Sequence, residues 1–299
     1  MNPHISRYAF PAAIMAAALV MSAPCFAGPF GFFSHKSGSA SSQAVTSANV
    51  TTEHYGGRSL LVYVPSQLPP AGSRALVVVL HGGMGNAQRI ENAQSESGLK
   101  LDAVAEKNGF IVAYLNGTPV TKHLGADRLG WNAGGCCGQS AENKIDDVGY
   151  IKGAVDYLAH QYGIDRSRVY GTGHSNGAMM TARLVCETNL YAAVVTFSGS
   201  LNVDTQTCPG ARGKRILSVH GSDDENVPIQ GGKGSKGLSG ADFKSEEFAR
   251  QIFTNSGADF HLQVVPGADH KLDHIADKIQ QAEGLTLPEK IARFFGLAH

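Results

Sequence analysis

The sequence predicts an α/β fold, a mostly parallel central sheet with helices on both faces. Short runs of β-branched and apolar residues alternate along the chain with segments of helical period. Several of those runs are apolar at successive positions, as strands covered on both faces are. Gly 36 in 299 residues supplies the tight turns that many strand-to-helix junctions need.

Taken in order, Arg58 to Val64 alternates towards a strand that stops at Pro65. Ala75-Leu76-Val77-Val78-Val79-Leu80 is a buried strand, and a helix covering Leu99 to Ala105 leads to a second one, Phe110 to Leu115. A glycine-rich connection from Asn116 to Ile145 carries Trp131, the only tryptophan; a loop that long in a globular domain is usually functional. Val148, Ile151, Val155 and Leu158 repeat at helical spacing behind Asp146 and Asp147, which suit the positive end of a helix dipole. Alternation then resumes: strand at Arg168 to Gly171, helix from Asn176 to Glu187, strands at Ala192 to Phe197 and Ile216 to His220. Helix from Phe243 to Phe253, strand at His261 to Val265 and a closing helix from Pro288 to Phe295 complete the order.

Lys+Arg 25 balance Asp+Glu 25 and no basic block stands out, so nucleic-acid binding has no electrostatic footprint. His4 and Arg7 precede the apolar run Ala9 to Met21, and small residues lead to Ala27-Gly28, the layout of a signal peptide cleaved after Ala27. As a membrane anchor the run is short of about 18 apolar residues, and Pro11 and Pro24 interrupt it, so stable membrane insertion is not expected. A lipoprotein signal ending at Cys25 is the weaker alternative, with Pro24 where a small residue belongs. The expected organisation is a signal over residues 1–27, a Gly/Ser-rich linker over 28–47 and one catalytic domain over 48–299, working outside the cytoplasm in the periplasm or the medium.

Export leaves Cys136, Cys137, Cys186 and Cys208 in an oxidising compartment, where three pairings are open. Cys186 with Cys208 is preferred, leaving Cys136 and Cys137 as a vicinal bond or two thiols. Adjacent cysteines lack the spacing that wraps a tetrahedral zinc ion.

Gly173-His174-Ser175-Asn176-Gly177 is glycine, any residue, serine, any residue, glycine. In a chain this rich in glycine the pentad alone says little; its place between a buried strand and a helix says more. A serine on that bend is exposed at the sheet edge, and flanking glycines keep side chains out of a crowded turn. Its hydroxyl needs an imidazole to take the proton and a carboxylate to orient that imidazole. Both lie downstream at strand ends: His220-Gly221-Ser222-Asp223-Asp224 supplies the acid, assigned to Asp224, and Gly267-Ala268-Asp269-His270 the base, assigned to His270. Asp223 reads as a solvated turn residue, and His274 as a surface helix residue and the lesser candidate for the base. An oxyanion hole calls for backbone N–H donors, here Asn176 after the nucleophile and Gly83 or Met84 after the Leu76–Leu80 strand. His81 reads as a structural hydrogen-bonding residue. Trp131 divides evenly between a substrate-stacking wall and a core residue.

His81-Gly82-Gly83, Gly130-Trp131-Asn132-Ala133-Gly134-Gly135-Cys136-Cys137-Gly138, Asp146 to Tyr150, the serine pentad and His220 to Asp224 occur in this order. Together they resemble the polyhydroxybutyrate-depolymerase-like esterases, a family related to feruloyl and acetylxylan esterases. The resemblance runs from about Tyr55 to the C-terminus, and its Trp–Cys–Cys segment is the most specific part. It implies an α/β-hydrolase fold, ester hydrolysis through an acyl-enzyme, and neither a metal nor an organic cofactor. Lys271-Leu272-Asp273 stands after the base where the family often has tryptophan-proline. The substrate is then a small-molecule or polymeric ester, polyhydroxyalkanoate-type oligomers or feruloyl and acetyl esters of plant polysaccharide. The rival readings are a serine peptidase with the same triad and a non-catalytic binding protein on the same scaffold.

Overall fold

In the computed structural model, residues 49–298 are described, apart from positions 93–94, 96–97, 122–124 and 238–239; the expected signal and linker lie outside them. The strands are β1 (Val50–Tyr55), β2 (Arg58–Tyr63), β3 (Arg74–Leu80), β4 (Ile111–Leu115), the two-residue β5 (Thr118–Pro119) and β6 (Leu129–Gly130), β7 (Ile164–His174), β8 (Ala193–Phe197), β9 (Arg215–Gly221), the short β10 (Gly232–Lys233) and β11 (Asp242–Phe243), and β12 (Asp259–Val265). The helices are α1 (Ala87–Glu91), α2 (Asp102–Asn108), α3 (Gly138–Glu142), α4 (Asp147–Tyr162), α5 (Asn176–Glu187), α6 (Glu246–Asn255), α7 (Leu272–Glu283) and α8 (Leu287–Phe294).

Eight strands form one sheet in the order β1-β2-β4-β3-β7-β8-β9-β12. β1 and β2 are antiparallel to their neighbours, and every pairing from β4 to β12 is parallel. This is the expected mostly parallel sheet. Its strands alternate between two cores. Leu76, Val78 and Leu80 face the core that contains Ile151, Val155 and Met180, while Val77 and Val79 face the one that contains Ile90, Leu272 and Ile291. Side chains two apart share a face, so the six-residue apolar run Ala75–Leu80 feeds both layers of helices.

The elements that escaped the sequence reading are those with weak signals. β1 is an edge strand with three exposed residues of six, and α1 is barely one turn. α7 buries Leu272, Ile275 and Ile279 in a mostly polar helix. α6 starts at Glu246 rather than at Phe243, because the Ser245 hydroxyl accepts from the Phe248 N–H and caps the helix there. The glycine-rich connection is largely loop, as expected, with α3, β5 and β6 inside it. No described helix is long and apolar enough to cross a membrane.

Candidate active site

The parallel strands place their C-terminal ends on one edge of the sheet, and the candidate residues gather there. β7 ends at His174 and α5 begins at Asn176, leaving Ser175 alone on the bend with φ 56° and ψ −122°. That is left-handed backbone which a side-chain-bearing residue adopts only under constraint. Its N–H donates to the Phe197 carbonyl at 2.8 Å, tying the bend to β8. Gly177 cannot carry a side chain, because a Cβ there would collide with the Leu80 and His81 carbonyl oxygens; one on Gly173 would meet the Gly177 carbonyl oxygen at 2.6 Å. The pentad's glycines are therefore a packing requirement of a helix that starts hard against β3.

His270 lies in the turn between β12 and α7. Its Nε2 is 2.9 Å from Ser175 Oγ and its Nδ1 2.7 Å from Asp224 Oδ2. Asp224 follows β9, is buried, and through Oδ1 accepts from the N–H groups of Asn226 (2.9 Å) and Val227 (2.8 Å). Burial opposes ionisation of Asp224, but hydrogen bonds from His220 and His270 outweigh it and hold the carboxyl well below its usual range. Asp223 stays at the surface and accepts from its neighbour Ser222. His274 pairs instead with Asp269 at 2.9 Å, half-exposed and joined to neither Asp224 nor Ser175.

Of the candidate oxyanion donors, Asn176 opens α5 beside the serine. Gly82 and Gly83 back onto the elbow: a Cβ on Gly82 would lie 3.4 Å from the Ser175 Cβ, and one on Gly83 3.7 Å from the Asn176 Cβ. Met84 is one residue further along, in left-handed backbone (φ 66°), with its carbonyl held by Arg89 at 2.9 Å.

Of the two readings open for Trp131, the substrate-stacking wall is corrected and the core residue is the one found. The side chain is fully buried, Nε1 donates to the His81 carbonyl at 2.9 Å, and the ring lies 5.0 Å from the His81 ring. A ring with no exposed face cannot stack on a ligand; it serves the packing of the loop against the elbow. Asn176 completes that join: its Oδ1 accepts from the Trp131 N–H at 2.7 Å and its Nδ2 donates to the Trp131 carbonyl at 3.0 Å. Asp147 does not act only on a helix dipole. It is fully buried, paired with Arg58 at 2.6 Å, and accepts from the Asn132 N–H at 2.7 Å, while Asp146 is the helix cap. The glycine-rich loop is thus pinned to the site from both ends of its Trp-Asn pair.

Three buried histidines surround the site. His81 takes the Gly117 N–H on Nε2 (3.1 Å) and gives Nδ1–H to the Gly82 carbonyl (2.8 Å), the structural role expected of it. Burial lowers its pKa to about 4. His174, unassigned from sequence, donates Nε2–H to the His270 carbonyl at 2.8 Å, and burial lowers it to about 3. His220, also unassigned, sits between Asp224 and Glu246. The sulfurs of Cys186 and Cys208 lie within bonding distance, as do those of Cys136 and Cys137. Among the described residues no group of three or more His, Cys, Asp or Glu side chains is placed to hold a metal ion.

The family described as phospholipase/carboxylesterase matches residues 68–261. Acetylxylan esterase A of Emericella nidulans is 33% identical over 144 residues, which is 46% of this chain and 41% of that protein. Feruloyl esterase B of Thermothelomyces thermophilus is 32% identical over 151 residues, 47% of this chain and 43% of that protein. The chain therefore matches about two fifths of the length of these relatives. Among solved structures, an acetyl xylan esterase from Aspergillus awamori superposes with TM-score 0.50 at 17% identity, covering 83% of this chain and 99% of that one. A dipeptidyl aminopeptidase IV homologue from Bacteroides ovatus gives TM-score 0.58 at 16% identity, covering 84% and 35%. Both show the shared α/β-hydrolase fold.

Proposed function

Because the chain belongs to the phospholipase/carboxylesterase family, we propose that it is an exported serine esterase acting through an acyl-enzyme. The observation that carries this reading is the unbroken run of hydrogen bonds from Ser175 Oγ through His270 to Asp224 at the C-terminal edge of the sheet. Ser175 attacks the ester carbonyl while His270 Nε2 accepts its proton, and Asp224 stabilises the imidazolium. The developing oxyanion is met by the N–H of Asn176 and by that of Gly83 or Met84. The C–O bond of the ester breaks, the alcohol leaves with the proton from His270, and the acyl group remains on Ser175. Water, deprotonated by His270, then attacks the acyl carbon, and the acid departs as the proton returns to Ser175.

The relatives named for acetylxylan and feruloyl esters support small acyl groups on polysaccharide, and the resemblance to polyhydroxybutyrate-depolymerase-like esterases supports short polyester oligomers. The N-terminal segment supports export, with cleavage after Ala27 leaving the Gly/Ser-rich linker over 28–47 and the catalytic domain over 48–299. Bonds at Cys186–Cys208 and Cys136–Cys137 would suit that compartment. Product release from p-nitrophenyl acetate, methyl ferulate, acetylated xylan, 3-hydroxybutyrate oligomers and a peptide anilide tests the reading. Turnover of at least one ester class without the anilide is expected; cleavage of the anilide alone, or of nothing, would overturn it.

A further inference from the structure

The acid loop rests on a buried pair that the reaction itself does not use. His220 is in β9 and Glu246 opens α6; both side chains are buried. Nδ1 of His220 lies 2.8 Å from Glu246 Oε1, while Nε2 lies 2.8 Å from the Val227 carbonyl and 3.2 Å from Asp224 Oδ2. The Val227 carbonyl can only accept, so Nε2 carries a proton; with the two carboxylates ionised Nδ1 donates as well, and a ring with two N–H groups is an imidazolium. Burial works to strip that proton, but the carboxylates of Asp224 and Glu246 outweigh it and hold the group at about 10.

We propose that His220 and Glu246 are a positioning pair for the acid, fixing Asp224 so that Oδ2 stays on His270 Nδ1. The inference rests on the esterase reading above. Asp224 is gripped on both oxygens: Oδ1 by the Asn226 and Val227 N–H groups, Oδ2 by His220 as well as His270. The Val227 carbonyl that receives His220 Nε2–H belongs to the same turn, so one imidazolium braces both the carboxylate and the backbone that carries it. Glu246 makes this cation tolerable in the interior; without its charge His220 would be a buried cation with only the catalytic carboxylate as counter-ion. The charged and titratable groups facing His220 are Asp224 from the acid turn, Glu246 from α6, and the neighbouring His174 and His270. His220 also offsets part of the negative field that Asp224 sets up at His270.

The test is the double variant His220→Gln/Glu246→Gln, which replaces the ion pair with two amides able to bond each other. On p-nitrophenyl acetate kcat is expected to fall about 10- to 100-fold with KM within about two-fold, as displaced catalytic groups do. Circular dichroism should match the wild type. A folded double variant with kcat within about two-fold of the wild type would overturn the proposal, leaving the pair as packing only. If the double variant does not fold, Glu246→Gln alone is read, with the same split between kcat and KM expected and an unchanged kcat overturning the proposal. Fluorophosphonate labelling of wild-type Ser175 runs alongside. Absent labelling and turnover there strike the esterase reading itself, whereas a labelled wild type with a fully active variant strikes the pair alone.

Discussion

The two sides of the candidate site solve the same problem with opposite charge states. On the nucleophile side, His81 after β3 and His174 at the end of β7 are buried and neutral, each donating one hydrogen bond to a backbone carbonyl. On the acid side His220, equally buried, is charged between two carboxylates. Desolvation acts on all three in the same direction, and only where two anions face one ring does it lose. The difference teaches how each candidate catalytic group is placed. Ser175 is fixed by backbone sterics, glycines and neutral hydrogen bonds, whereas Asp224 is fixed by a buried ionic network.

The largest expected effect lies on the nucleophile side. Ser175→Ala should fold as the wild type does and lose on the order of a million-fold in turnover; more than a hundredth of wild-type activity would remove this serine from the reaction. Next comes the acid side. Asp224→Asn is expected to cost on the order of ten-thousand-fold, since the amide can present N–H to the imidazole and favour the wrong tautomer. Asp223→Asn, at the surface, should change activity by only a few-fold. Reversal of the two on one soluble ester would place the acid one residue earlier.

A smaller effect separates the two sides by pH. His81 and His174 have folded pKa values near 4 and 3 against 6.5 unfolded, so the unfolded chain binds more protons below 6.5. Their contribution is present above pH 6.5 and is lost as the pH falls towards 4 and 3. His220 has the opposite sign: raised to about 10, it contributes fully below 6.5 and loses that contribution as the pH rises towards 10. Urea unfolding should show stability lower by on the order of 2–4 kcal/mol at pH 4.5 than at pH 6.5. A second decline, running from about pH 6.5 towards 10, should disappear in the His220→Gln/Glu246→Gln variant. A stability flat from pH 4.5 to 6.5 would contradict the neutral, buried state of the two nucleophile-side rings.

The smallest effect concerns the far end of α5, the helix that begins at the elbow. Cys186 sits there opposite Cys208. Cys186→Ser/Cys208→Ser is expected to cost about 2 kcal/mol, the low end for a bridge in a secreted domain, because the core here is large. An unchanged melting temperature would show that the pair does not stabilise the chain.

The sequence was most legible where local sterics decide. The apolar runs at Leu76–Leu80 and Ile111–Leu115 fall in strands, and the pentad falls on the strand-to-helix bend. Asp224 and His270, 46 residues apart, were legible because each follows an apolar run that ends at the same edge of a parallel sheet. What escaped depends on partners far away in the chain. His220 and Glu246 are 26 residues apart, and nothing near Glu246 distinguishes it from an ordinary acidic residue in a helix first turn. His174 was passed over as the free position of the pentad, and its bond to the His270 carbonyl spans 96 residues. Trp131 was undecided because a glycine-rich loop suggests exposure, whereas here it is folded under the elbow and held by Asn176.

The most direct test of the account is the reaction of the protein with a fluorophosphonate, read by peptide mass spectrometry. The account expects one stoichiometric adduct on Ser175, absent in Ser175→Ala, and loss of ester hydrolysis in step with labelling. An adduct on another residue, or ester hydrolysis that persists after Ser175 is fully labelled, would contradict it.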